Sequence, residues 1–153
     1  MKLNYQWPLP SQPRPIAIIG SGGIVKDAHL PAYQKAEFKV LGVYDINPEQ
    51  SAKIANSWNL KAFGSLDSLI SSAQSQNAVF DLALPPSAVS NVLEQLPEHA
   101  TVLIQKPMGS DLEEAKIIKA ICERKKLTAA VNFQLRFSPM MLALKDAMSI
   151  GYL

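Results

Sequence analysis

Gly20, Gly22 and Gly23 lie within the run Gly20-Ser21-Gly22-Gly23-Ile24-Val25, and Asp45 follows Gly20 by 25 positions. A main chain without Cβ atoms turns tightly and lets a ligand approach closely. Backbone N–H groups in such a bend suit the oxygens of a diphosphate, and a helix beginning there adds the positive end of its dipole. A carboxylate about this far downstream suits the hydroxyls of a ribose. Lys106, just before Pro107, carries an ammonium that can contact a ribose or substrate hydroxyl and hold or relay a proton. Together these residue types describe a dinucleotide site. Each also has a plainer use: Asp45 as a turn cap ahead of Pro48, and Lys106 as a solvated strand-end lysine.

Short apolar strands alternating with amphipathic stretches would place these residues. Residues 16–19 form a continuous apolar run of the kind buried on both faces of a parallel sheet. A helix is expected over 24–35 and a second strand over 38–44, ending at Asp45. A helix over 48–58 has Pro48 in its first turn. A weak strand is expected at 61–63 and a short helix at 65–70. The next strand runs over 79–84 and stops at Pro85-Pro86, ahead of a helix over 87–96. A strand over 101–104 delivers the Gln105-Lys106-Pro107 loop. Ser110 and Glu113 read as a capping box for a helix with Leu112, Ala115, Ile118, Ile121 and Cys122 on its inner face. A strand over 128–132 and a helix over 139–149 complete the series. This alternation predicts an α/β fold, a doubly wound parallel sheet of Rossmann type. Ligands of such sheets bind at the carboxyl ends of the strands, where Gly20, Asp45, Leu84 and Lys106 all fall.

The 153 residues are 48% hydrophobic and 18% charged, with a net charge of +2. That balance fits one ordinary globular domain and gives no electrostatic reason to expect nucleic acid. The apolar runs are too short to cross a membrane. A single cysteine excludes an internal disulfide, and no Cys/His cluster has zinc spacing, so no metal site is expected. Residues 1–14, with Pro8, Pro10 and Pro13, read as a flexible arm without the apolar core of a signal peptide, and a cytoplasmic setting is expected. His29 has no second ligand at metal spacing and reads as a packing or helix-surface residue. The methionines over 140–148 read as core filler, or as a face for another domain.

Asp45 argues for NAD over NADP. A 2′-phosphate about 4 Å away would cost up to ~4 kcal/mol per unit charge at an effective dielectric near 20. Ile46 and Asn47, not an arginine, come next. Val25 stands where the fingerprint wants a small residue for close helix–strand packing.

The chain resembles the N-terminal part of the glucose–fructose oxidoreductase/inositol dehydrogenase family, Gfo/Idh/MocA. The matching segments are Ile18-Ile19-Gly20-Ser21-Gly22-Gly23-Ile24 with His29-Leu30-Pro31-Ala32, then Val43-Tyr44-Asp45 and Leu82-Ala83-Leu84-Pro85-Pro86. Lys106-Pro107 and Asn132-Phe133-Gln134-Leu135-Arg136-Phe137-Ser138-Pro139 follow in family order. The resemblance implies a nicotinamide-dependent oxidoreductase acting on a sugar, cyclitol or related polyol. The cofactor residues it implies are Gly20, Ser21, Gly22, Gly23, Ile24, Asp45, Ile46, Leu84, Pro85, Pro86, Gln105, Lys106 and Pro107, with Lys106 beside the nicotinamide as the one catalytic candidate. Gln105 replaces the family's usual glutamate, and Val89 a frequent histidine. Family members continue into a second α/β domain that supplies much of the substrate pocket and the usual catalytic aspartate and histidine. The expectation is therefore a cofactor-binding domain, excised or naturally shortened, with residues 15–137 as the Rossmann domain and 138–153 as a helix leading onward. It should bind NAD without turnover and meet a sugar-like substrate only together with the second domain. The competing expectation is a non-catalytic module that associates, as a homo-oligomer for instance, through its last helix.

Overall fold

The computed structural model describes residues 4–152. They form two compact units, one of residues 14–131 and one that joins residues 4–13 to 132–152.

In the larger unit, β1 (Ile16–Ile19) and β2 (Val40–Tyr44) pair in parallel, as do β1 and β3 (Val79–Leu82), and β3 and β4 (Thr101–Gln105). With β5 (Thr128–Asn132) the sheet order is β2-β1-β3-β4-β5. The order reverses at β1, so the crevice lies where the strand leading into the glycine bend meets its two neighbours. All four residues of β1 are buried, as a run without polar alternation requires. Ile18 and Ile19 are 0% and 1% exposed. Each such side chain contributes about 1.5–3 kcal/mol by leaving water.

Helices cover both faces. One core holds Ile19, Phe80, Leu82, Leu93, Ile104 and Ile118, and the other holds Ile16, Ile18, Val25, Leu30, Val43 and Ile54. Helix α2 (Pro48–Trp58) starts where Asn47 accepts from the amides of Glu49 and Gln50, and ends at Asn59 in the left-handed conformation. Helix α3 (Leu66–Ser75) runs longer than the sequence suggests. Ser65 and Ser68 cap it reciprocally, and Leu69, Ile70 and Ala73 extend its buried stripe. The weak strand expected at 61–63 is a single bridge between Val43 and Ala62. Helix α4 (Pro86–Gln95) and helix α5 (Leu112–Arg124) follow β3 and β4.

Three local expectations are corrected. The helix after the glycine bend is not uniform: residues Val25–His29 form a π turn, and Leu30–Lys35 continue it as the α-helix α1. Pro31 has no N–H and its ring crowds the carbonyl four residues back, which favours a wider turn there. Val25 fills the room beside that turn and is fully buried, which explains how a valine is tolerated at that position. Second, Asp111, not Ser110, caps α5. Its carboxylate accepts from the amide of Glu114 at 2.8 Å, while the Ser110 amide donates back to the Glu114 carboxylate at 2.6 Å. Third, Leu112 is 70% exposed, so the inner face of α5 is built from Ile118 and Ile121.

In the smaller unit, helix α6 (Pro139–Ser149) is capped by Ser138 and buries Leu142 and Ala147. Its methionines are not core: Met140 is 75% and Met148 61% exposed. Residues 4–13 hold neither helix nor strand. Within this unit Trp7 meets Phe137 edge-on with ring centroids 5.2 Å apart, and the Asn4 amide donates to Asp146 at 2.8 Å.

Candidate cofactor site

The bend after β1 is built around Gly20, at φ +96°. A Cβ there would lie 2.3 Å from the carbonyl oxygen of Ala83, which follows β3. Only glycine lets the two strand ends come this close. Gly22 differs: a Cβ at that position would meet nothing within 4 Å, because the main chain there faces open space. Such a surface is one a diphosphate can approach. The expected helix-start amides are partly committed, since Val25 and Lys26 both donate to the Gly22 carbonyl. The Gly20 amide donates to the Tyr44 carbonyl at 2.8 Å, stitching the bend to the end of β2.

Asp45 stands across from the bend. Its Oδ2 accepts from the amide and the hydroxyl of Ser21, at 2.7 and 2.8 Å. Its Oδ1 accepts from the Asn47 amide at 2.9 Å. The carboxylate therefore caps the turn ahead of Pro48 and also lines the crevice. These roles are compatible, because a carboxylate has about four acceptor sites and three are used.

A cavity of about 600 Å³ brings together Gly20, Ser21, Gly22, Asp45, Ile46, Leu84 and Pro85. Ile46 sits at its rim, 92% exposed. Gly23, Ile24, Pro86, Gln105, Lys106 and Pro107 are not part of this lining. Gln105 is 8% exposed, and its side-chain oxygen accepts from the Lys106 amide at 3.3 Å. Lys106 is exposed, and its bond to Pro107 is cis. Val89 is fully buried in the core beneath α4, not in the cavity. A histidine in its place would need a polar partner inside that core.

Sequence reasoning missed several lining residues: Tyr44, Gln50, Leu66, and the α4 residues Ala88, Asn91, Val92 and Gln95. The α4 set recurs at helical spacing. That signal was present, but it shows which face meets the ligand only once the strand end beside it is placed. The cavity lining as a whole is mostly apolar, which suits the flat face of a base.

A second polar cluster lies inside the same unit. Asp81, in the middle of β3, is fully buried. Its Oδ2 accepts from Nδ1 of His29 at 2.7 Å and from the Tyr33 hydroxyl at 2.8 Å. Burial pushes the Tyr33 phenol well above its usual range, and the charge and hydrogen bond of Asp81 add to the effect. His29 is 5% exposed, so it is a packed histidine, but one with a specific acid partner. Among the described residues, no group of three or more His, Cys, Asp or Glu side chains could hold a metal, and no helix is long and apolar enough to cross a membrane.

The family model GFO_IDH_MocA, described as an oxidoreductase family with an NAD-binding Rossmann fold, matches residues 14–133. A putative oxidoreductase, YceM, of Salmonella typhimurium is 33% identical over 131 residues, 85% of this chain and 42% of its own length. Glucose-6-phosphate 3-dehydrogenase of Bacillus subtilis is 32% identical over 134 residues, 86% of this chain and 37% of its own length. The chain thus spans about two fifths of the curated relatives it matches. The structure of UDP-N-acetylglucosamine 3-dehydrogenase GnnA from Acidithiobacillus ferrooxidans superposes with a TM-score of 0.71 at 26% identity, over 87% of this chain and 42% of that one. With a glycine bend, a facing acid and a strand order that reverses between them, and with the family model matching most of its length, the chain belongs to the Gfo/Idh/MocA oxidoreductase family through its NAD-binding Rossmann domain.

Proposed function

We propose that this chain is the cofactor-binding domain of a nicotinamide-dependent oxidoreductase acting on a sugar, cyclitol or related polyol, and that it takes NAD(H) in preference to NADP(H). The observation that carries the reading is the cavity in which the Gly20–Gly22 bend faces Asp45. The diphosphate is assigned to the amides of Gly22, Gly23 and Ile24, the loop amides bonded to neither Tyr44 nor Asp45. Asp45 takes the adenosine ribose. Ile46, Leu84 and Pro85 border the base, and Pro86, Gln105, Lys106 and Pro107 form the nicotinamide end. When bound, the nicotinamide supplies hydride transfer. Lys106, exposed beyond the end of β4, holds or relays the proton of a substrate hydroxyl. Gln105, buried and neutral, accepts from the main-chain amide of Lys106.

Residues 1–153 span about two fifths of the relatives' length, and on this reading they bind the cofactor while the substrate-binding groups belong to a second domain, so binding without turnover is expected of these residues by themselves. The test is a titration with NADH followed by nicotinamide fluorescence, with NADPH in parallel. Saturable NADH binding at up to millimolar concentration, tighter than that of NADPH, supports the reading. No saturation with either cofactor overturns it.

Self-association through α6 is a second reading. It is favoured by Met140, Met148 and Ile150, which are 75, 61 and 57% exposed within the smaller unit. A sedimentation coefficient that rises with protein concentration and stays flat after Met140→Lys/Met148→Lys supports it. A monomer at every concentration excludes it.

A further inference from the structure

We propose that Ser21 is a positioning residue for Asp45, and that its hydroxyl sharpens the choice between NAD(H) and NADP(H). The inference rests on the cofactor reading above and adds a residue that acts through the acid, not on the ligand directly. Ser21 is fully buried, so its hydroxyl has few partners to choose from. It donates to Oδ2 of Asp45 at 2.8 Å, beside the bond from its own amide at 2.7 Å. The Asn47 amide holds the other oxygen at 2.9 Å. Gln50, in the first turn of α2, donates its side-chain amide to the Ser21 carbonyl at 3.1 Å, which ties the bend to the helix that follows the acid. Three donors from two segments thus hold one carboxylate, and hydrogen bonds to a charged acceptor are the strong ones.

Two consequences follow for a ligand. A ribose diol gains most from an acid that is already in place, because no rotamer has to be frozen on binding. A 2′-phosphate gains most from an acid that can swing aside, because it must avoid like charge at short range. The Ser21 clamp helps the first and hinders the second. Removing the hydroxyl leaves the amide bond and returns rotational freedom to Asp45. Affinity for NADH then falls while that for NADPH falls less or rises.

The experiment measures NADH and NADPH dissociation constants for the wild-type chain, Ser21→Ala, Asp45→Ala and the double variant. Ser21→Ala is expected to weaken NADH about three- to tenfold and to reduce the NADH-over-NADPH preference by a similar factor. In the Asp45→Ala background the same substitution is expected to leave NADH binding unchanged, because the hydroxyl acts only through the acid. Ser21→Cys keeps the side chain close in size but donates weakly. It should reproduce the loss of preference if Ser21→Ala folds poorly. An equal loss for both cofactors, or the same loss with Asp45 already removed, marks a purely structural serine and overturns the inference. A wild-type chain that binds NADH, with variants that match it, does so too. Failure of the wild-type chain to bind either cofactor overturns the cofactor reading itself and is recognised before any variant is compared.

Discussion

Asp45 and Asp81 stand on opposite sides of β1 in one sheet, and the same carboxylate does different work at each place. Asp45 follows the last residue of β2, lines an open crevice and is held by donors from Ser21 and Asn47. Asp81 lies inside β3, pairs in register with Ile18, and is closed off beneath His29 and Tyr33. At Asp45 an acceptor site remains for something that enters from solvent. At Asp81 one oxygen takes both donors, and among the described residues Oδ1 and the far nitrogen of His29 have no hydrogen-bonding partner. An acid two or three residues further along a strand thus passes from fastening the fold to reading a ligand. The boundary between these roles is the carboxyl edge of the sheet.

That contrast can be broken by substitution. The largest effect is expected from Asp81→Ala. Removing one member of a buried polar network strands the others, at about 3–5 kcal/mol of stability. Thermal or urea unfolding measures this loss, and the folded fraction should bind NADH as before. Asp45→Ala should show the reverse. Its stability is expected to fall by only about 1–2 kcal/mol, since the buried Ser21 donors lose their acceptor but the cavity they line admits water, while NADH affinity falls about tenfold or more and NADPH affinity falls less. A large loss of stability at Asp45, or of affinity in folded Asp81→Ala, would erase the distinction.

A subtler consequence concerns alkaline pH. Tyr33 has its phenol pKa raised in the folded chain, chiefly by burial and then by Asp81. Below pH about 10 the phenol is protonated folded or unfolded, and its contribution is complete. Above that, the unfolded chain releases the proton while the folded one keeps it, so stability falls as pH rises. Tyr33→Phe lacks this titration. The wild-type advantage over Tyr33→Phe, about 1–2 kcal/mol at neutral pH, should shrink by up to about 1.4 kcal/mol per pH unit above 10. A constant gap between pH 9 and 11 would place the phenol outside the Asp81 network.

Much of the frame was legible because local signals and burial agree. The buried run of β1 and the glycine bend after it are where the sequence puts them, and α2 begins after Asn47 at Pro48 and ends at Trp58 as its punctuation implies. Other parts depend on what packs nearby. The π turn over Val25–His29 reflects Pro31, just beyond it, which has no N–H to donate back, and a valine that must fit against β1, and neither leaves a periodic mark. The cap of α5 moved by one residue because Asp111, next to Ser110, caps at least as well. Asp81 carried a signal that was passed over: a charged residue inside Val79-Phe80-Asp81-Leu82, where the neighbours are apolar. Its partners His29 and Tyr33 are some fifty positions away in sequence, so only the fold joins them. In the cofactor site, the bend and Asp45 were readable by spacing. The Ser21 clamp was not, because it depends on which way a buried hydroxyl turns.

The most direct measurement is a nitrogen-15 NMR titration of the chain with NADH. Saturable amide shifts are expected at Gly22, Gly23 and Ile24, around Asp45 to Asn47, and at Leu84, Ser87 and Ala88, with the amides around His29 and Asp81 staying nearly still. Shifts that gather away from the glycine bend, or none at saturating cofactor, would contradict the assignment of this crevice to a dinucleotide.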